Sequence, residues 1–583
     1  GVVARTLGRL PFSDSTLSIE LSRVILEMAE QPVTVGAGNS RPVGTVNAAA
    51  AQGVAHGLYD LARTRRVTGA LPSEVIAWLE RAAQFQGEMS TGAAPSIEGG
   101  ARVRRLALLA LAASGDTSTD VAQRAARDVD EQVRRLALAQ LPNVRDTSVR
   151  RSLVEGALRD PSWLVRLEGV RSYRQLGKGG SCTPLLSAVG DAVPHVAIAA
   201  IDAMATGCDE AARVTDTLLS ITDSRNPQHA TRGRGSAGWQ PYAHALVALA
   251  RVAPTRVAPL VRRDVSHPIW QVRMYVARAA AIARDTATLS ALASDANGDV
   301  REAALIGLSA TVGHGADRLY LAALASPDYQ VVRQGADALK GSPLGESVAT
   351  AALMALDRIS AEKRENSRDP RIALVERIGE FGSTKTSSRF ESYAADFDST
   401  IAQQSARILE RWMLRRVAPA PKLLPAAPNV VGAVVGAAFR MTVKMSPTTG
   451  GGSFVVRLFT DDAPATVARI VRLAREGYYN GLTFHRVEPA FVIQGGSPKA
   501  TEFVGDGPFM RDEVGLVSHT RGTLGISTRG RDTGDAQLFV NLTDNFRLDH
   551  DYTVFGEIVA GRDVAEGVLE GDVIERIDVT RVR

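Results

Sequence analysis

The residue types with the most chemical content lie in two short segments towards the C-terminal end of the sequence. The first, FHRVEPAFVIQGG at 484–496, alternates apolar and polar residues, turns at Pro489 and re-enters an apolar run before two glycines. Alternate side chains of a regular strand share a face, so Arg486 is expected on the same side as Phe484. Arg486 and Gln494 can then project together from a sheet surface, with Phe491 nearby. The second segment, GTLGISTRGRDTGDAQLFVNL at 522–542, puts Gln537 and Phe539 at i and i+2 on one strand face, after a glycine-rich loop. A guanidinium stays charged and presents a fork of donors, so beside carboxamides and aromatic rings it suits hydrogen bonding at an apolar surface. Two other groups have chemical potential. Asp549-His550-Asp551 has the residue types of a metal site, but neighbouring side chains diverge, so a solvated turn is expected and no metal. Cys182 and Cys208, 26 residues apart, exclude a disulfide scaffold and a cysteine zinc site, leaving either one bridge or two thiols.

The elements that position these residues begin at about Ala437, where strand signals such as FRMTVKM and SFVVRLF take over. GGG at 450–452 reads as a hairpin turn, and residues 463–476 as a helix whose buried stripe is Ala465, Val467, Ile470, Val471 and Leu473. Ahead of them Pro419, Pro421, Pro425 and Pro428 forbid helix and favour an extended spacer. Residues 413–436 are therefore expected to be a Pro/Ala-rich linker.

Residues 1–412 have helical patterning and an internal repeat. A polar turn, often with Asp, leads to Val, frequently Arg, then apolar residues four and eight positions later. The anchors are Val103, Val133, Val165, Val196, Val272, Val300 and Val331, with weaker copies at Ile372 and Ile401. The first spacings are 30, 32 and 31 residues; one of 76 includes a Gly/Arg-rich stretch around Thr231 to Gly238. A second, shorter helix fits between anchors. Two short helices with one apolar stripe each cannot bury it alone, so neighbouring units must stack.

With 583 residues and about 150 per domain, roughly four domains are expected, or fewer with a repeat array. The hydrophobic (45%) and charged (22%) fractions exclude a wholly disordered or collagen-like chain. The longest apolar run, 430–439, is far short of the ~20 residues of a membrane span. The net charge of +5 is too slight to imply nucleic acid. The repeated arginines are expected to pair with acidic residues of adjacent repeats, so nucleic acid is not an expected partner. GVVARTLGRL at the start already reads as a helix face, which suggests that upstream sequence is missing.

The repeat pattern resembles HEAT-repeat proteins over residues 1–412. This resemblance implies an all-α solenoid that presents a surface to a protein partner, and it identifies no functional residue.

The region 437–583 resembles the cyclophilin-type peptidyl-prolyl isomerases. The resemblance rests on Phe484-His485-Arg486, Phe491, Gln494-Gly495-Gly496, Gly522-Thr523-Leu524, Gln537-Leu538-Phe539, Leu548-Asp549 and Val554-Phe555-Gly556, in the family's order and spacing. It implies a closed eight-stranded antiparallel β-barrel with two flanking helices, at 463–476 and 563–569. It also implies rotation of Xaa-Pro bonds in proline-containing clients without a cofactor. By similarity Arg486 is the catalytic donor and Gln494 orients it. Phe491, Val492, Phe539 and Leu548 line the proline slot, and Gln537 contacts the residue before proline. Thr528 lies in the substrate strand Ser527-Thr528-Arg529, and Tyr552 replaces a pocket histidine. The usual pocket tryptophan is absent, with Phe546 or Arg547 in its place. His485 is expected to orient its strand rather than act as a base. The alternative is a non-catalytic proline-binding chaperone or assembly scaffold. The potential bridge and the foldase activity lean towards an extracytoplasmic bacterial location, which the sequence leaves open.

Overall fold

A computed structural model describes all residues except 1, 10–14, 31–47, 65–70, 86–96, 116, 177–179, 206–208, 224–237, 426–430 and 583. Cys208 and nearly all of the Gly/Arg-rich stretch at 231–238 thus lie outside the described residues. Cys182 is disulfide-bonded. The chain forms two compact units, Gly1–Lys178 and Gly179–Arg583. No helix among the described residues is long and apolar enough to cross a membrane.

The first unit is helical, and the recurring Asp and Arg explain how its hairpins join. Asp160 accepts the Ser162 N–H (2.8 Å), closing a turn before the helix Trp163–Tyr173. The same carboxylate receives both arms of Arg134, at 2.8 and 2.9 Å, from the helix Glu131–Leu138 before it. Arg134 also donates to the Asp128 carbonyl of its own turn (3.0 Å). One residue thus closes its own turn and clips the previous hairpin.

The second unit repeats the device at Asp295 and Asp396, which accept the Asn297 and Asp398 N–H groups at 2.8 and 2.7 Å. Its helices include α1 (Pro194–Met204), α2 (Gln240–Val252), α3 (Trp270–Ala283), α4 (Gly298–Val312), α5 (Tyr329–Ala338) and α6 (Arg368–Phe381). Arg273 of α3 reaches Asp295 at 2.7 and 2.8 Å, and Arg301 of α4 reaches Asp328 at 2.5 Å. Arg371 of α6, wholly buried, reaches Asp396 at 2.8 and 2.9 Å. The last helix of this region, Ser399–Met413, ends at Leu414. Residues 415–425 run without helix, the Ala420 and Lys422 N–H groups donating to the Ala394 and Asp396 carbonyls.

Eight antiparallel strands then close a barrel in the order β1-β2-β7-β5-β6-β4-β3-β8. They are β1 (Ala438–Met445), β2 (Ser453–Leu458), β3 (Thr483–Glu488), β4 (Val492–Ser497), β5 (Thr523–Ile526), β6 (Leu538–Asn541), β7 (Val554–Ala560) and β8 (Asp572–Val582). Phe454, Phe484, Phe555, Met441 and Ile574 fill the interior. Two helices flank it, α7 (Pro464–Arg475) and α8 (Arg562–Glu566), the first burying Val467, Ile470 and Val471. Gly452 ends the β1–β2 turn at φ +87°, with Val564 of α8 only 2.9 Å from where a Cβ would stand.

Among the described residues the barrel rests on the helices of its own unit at two places. At the first, Gln240 donates to the Glu570 carbonyl and the Tyr275 hydroxyl to the Glu570 carboxylate, both at 2.8 Å, while the His195 ring lies 3.0 Å from the Glu566 carbonyl. The second, along residues 499–509, joins α5, α6 and the turn between Arg364 and Asn366.

Candidate active site

The site is built on an irregularity in β3. Phe484 pairs with Gly495 and Arg486 with Gln494, so two steps along β3 match one along β4 and His485 forms a bulge. The bulge reverses the alternation. Phe484 therefore points into the barrel and is fully buried, while Arg486 emerges on the outer face and is exposed. A regular strand, with both residues on one side, is not what forms.

The register continues the row outward. Gln494 lies opposite Phe539, and Phe539 opposite Gly525, so Arg486, Gln494, Phe539 and Gly525 span β3, β4, β6 and β5 on one face. The glycine is required here: a Cβ on Gly525 would stand 2.4 Å from Cζ of the Phe539 ring.

Beside this row Val492, Phe539 and Leu548 form a small apolar cluster separate from the barrel core, with Phe491 and Tyr552 against it. The Phe539 and Tyr552 rings meet edge-on at 5.9 Å. Behind them His519, wholly buried, stacks on Phe539 at 5.8 Å. Asp549 fixes His519, accepting its backbone N–H at 2.7 Å and facing Nδ1 at 3.1 Å. Asp549 is itself wholly buried, so 549–551 is not simply the solvated turn expected from sequence. The Phe491 carbonyl receives the Leu542 N–H and the Asn545 side chain, both at 2.9 Å. Phe546 is buried, whereas Arg547 is exposed and caps the Phe491 ring at 4.3 Å.

A chain of side-chain hydrogen bonds leads away from the guanidinium. Arg486 Nη1 donates to Gln494 Oε1 (3.3 Å), and Gln494 Nε2 to Gln537 Oε1 (3.1 Å). Gln537 Nε2 faces the carbonyls of Thr501, Glu502 and Val504 at 3.3, 3.0 and 3.1 Å. Its backbone N–H is held by Asp535 (3.0 Å), whose carboxyl burial pushes up to about 6. Thr528 sits in the segment after β5, which pairs through Ser527 N–H with the Gln537 carbonyl, outside the apolar cluster. Among the described residues Arg486 has no carboxylate partner. His485 is pushed down to about 4, mainly by burial and also by the Arg486 charge.

The structure therefore gathers Phe491, Val492, Phe539, Leu548 and Tyr552 in one place and links Arg486, Gln494 and Gln537 in another on the same face. Sequence reasoning missed His519, Asn545 and the 501–504 carbonyls. No local pattern marks them, because their partners lie on strands and loops distant in sequence.

Residues 442–582 match the family model described as cyclophilin type peptidyl-prolyl cis-trans isomerase/CLD. A peptidyl-prolyl cis-trans isomerase of Helicobacter pylori is 42% identical over 133 residues, 22% of this chain and 82% of the relative. Peptidyl-prolyl cis-trans isomerase B of Bacillus subtilis is 39% identical over 131 residues, 22% of this chain and 92% of the relative. A solved cyclophilin-type isomerase from Cryptosporidium parvum is similar over 24% of this chain and 98% of its own, at 22% identity and a TM-score of 0.23.

Proposed function

Since the chain belongs to the cyclophilin-type peptidyl-prolyl cis-trans isomerases through its barrel, we propose that Arg486 is the donor that carries Xaa-Pro rotation in polypeptide clients. Rotation about the amide breaks its resonance, against a barrier of ~18–20 kcal/mol. No bond to carbon forms or breaks, so the protein accelerates the step by binding the twisted amide better than the planar one. In the twisted state the proline nitrogen becomes pyramidal and regains a lone pair. A guanidinium donor can hydrogen-bond that lone pair, and it cannot lose its own charge. An apolar slot for the proline ring excludes water and strengthens the bond.

The observation that carries this reading is the exposed Arg486, without a carboxylate partner among the described residues, on the face that holds the Val492–Phe539–Leu548 cluster. Phe491 and Tyr552 complete the slot walls. Gln494 orients the guanidinium and binds a substrate backbone group, and Gln537 and Thr528 border the residues before proline. The expected result of Arg486→Ala is a loss of about 1.5–3 kcal/mol of transition-state binding, roughly 10- to 200-fold in kcat/KM for a proline tetrapeptide. Wild-type activity in that variant, with peptide binding retained, would favour a proline-binding chaperone instead.

The helical region fits a HEAT-like solenoid of residues 1–412, joined through 413–436 to the barrel at 437–583. Its support is the recurrence of the Asp–Arg clip at Arg134, Arg273 and Arg301. As a scaffold it binds protein and raises the concentration of client prolines near the barrel. A long unfolded client is then turned over with a higher kcat/KM than a tetrapeptide; equal values would remove the capture role.

A further inference from the structure

Gln537 depends on a segment that does not hold itself. Residues 498–509 contain neither helix nor strand, yet the carbonyls of Thr501, Glu502 and Val504 all converge on the Gln537 amide nitrogen. The position of that amide sets Gln494, and Gln494 in turn contacts Arg486. An irregular segment of this length has many backbone states, so the contacts that select one of them also select where the guanidinium points.

The barrel supplies some of these contacts. Asp506 pairs with Arg469 of α7 at 2.5 Å, and Gly505 lies so close to the Asp535 carboxylate that a Cβ there would be 2.1 Å from an oxygen. The other side of the segment is covered by the helical region. Arg333 of α5 caps the Phe503 ring at 4.9 Å, and Arg368 of α6 caps Phe509 at 4.9 Å. Glu365 accepts the Phe509 N–H (2.6 Å), Arg364 donates to the Gly505 carbonyl (3.3 Å), and Asn366 N–H donates to the Gly507 carbonyl (3.3 Å). Lys499 lies 3.5 Å from Asp328.

The tightest link runs through Arg529. Its Nε donates to Asp369 of α6 at 2.5 Å, its Nη1 donates to the Glu502 carbonyl, and its guanidinium carbon lies 5.7 Å from the Phe503 ring centroid. Arg529 is thus committed to the helical region rather than free for an acidic substrate. It also bonds the same Glu502 carbonyl that receives Gln537.

We infer that Asp369 and Arg333, two residues of the helical region, are positioning residues for isomerisation. They hold Arg529 and Phe503 so that residues 501–504 fix Gln537, Gln494 and finally Arg486. The inference rests on the assignment of Arg486 given above. On this account the helices are a structural half of the enzyme and not only a tethered client-binding module.

The test uses the full chain and a proline tetrapeptide. Asp369→Asn, nearly isosteric, is expected to lower kcat about 3- to 30-fold with KM unchanged, and Arg333→Gln to do the same. Asp369→Glu, which keeps the charge, should recover most of the loss. In an Arg529→Gln background Asp369→Asn should add nothing, because both act through one pair. Tyr275→Phe removes one hydrogen bond of the other contact of the barrel with the helices, to the Glu570 carboxylate, and should leave kcat at the wild-type value.

Wild-type kcat in both Asp369→Asn and Arg333→Gln, with Arg486→Ala impaired at least about tenfold, overturns the inference and leaves the assignment of Arg486 standing. An equal loss in Tyr275→Phe also overturns it, since loosened docking in general would then be the cause. Full activity in Arg486→Ala instead removes the assignment itself.

Discussion

At the scale of single residues, rotation about an amide requires no proton transfer, and the proposed site fits that. Arg486 stays charged, and His485 beside it is held neutral down to about pH 4 by burial and the neighbouring charge. The kcat of the full chain is therefore expected to be flat from about pH 7, above the titration of Asp535, to about pH 9; a bell-shaped profile would point to a general base. Gly525 provides a steric test. Gly525→Ala forces a methyl into the Phe539 ring, 2.4 Å away, and should raise KM for proline peptides about tenfold or more by displacing the slot wall. Peptide titration on the folded variant checks it. Asp535 provides a stability test. In the folded chain it keeps its proton to about pH 6, against the ordinary 3.8 of the unfolded chain. Its contribution thus favours the fold below about pH 4 and is lost as pH rises to about 6. Asp535→Asn is expected to gain about 1–3 kcal/mol at pH 8 and little at pH 4, by urea unfolding at both values.

At the scale of elements, what could be read in the sequence was what neighbours in the chain decide. The strand alternation, the turn at 450–452 and the α7 stripe each depend on local spacing, and each formed within a residue or two. The β3 bulge was not legible, because it exists only against β4: His485 looks like any strand residue until Phe484 pairs with Gly495 and Arg486 with Gln494. The members of the apolar cluster could be named from motif order, whereas the His519–Asp549 support could not, since 30 residues separate the partners. The repeated Asp and Arg were visible as a phrase; that Asp160, Asp295 and Asp396 each close one turn and also hold an arginine of the hairpin before it required the folded hairpins. Arg273→Ala strands Asp295, 9% exposed, without its bidentate partner. It should cost about 1–3 kcal/mol, read as a lower midpoint of helical unfolding by circular dichroism, while Arg262→Ala, whose side chain is 70% exposed, should cost less than about 1 kcal/mol.

At the scale of the whole molecule, many of the described arginines are paired with carboxylates of the chain itself. Arg134, Arg273, Arg301 and Arg371 are each committed to a carboxylate. Duplex DNA and single-stranded RNA are accordingly expected not to bind at about 0.15 M salt. Anisotropy titrations check this, and tight binding that weakens steeply with salt would contradict it. The closure of the barrel bears on how such a chain is made. The partner that β1 needs is β8, with Ala438 opposite Val582. A ribosome therefore delivers every helix before the sheet can seal, and β1 waits through more than a hundred residues of synthesis with one side unpaired. A stop codon that removed 572–582 would leave two strands, β1 and β3, with open flanks. Such a product should be found in inclusion bodies rather than as a slower enzyme.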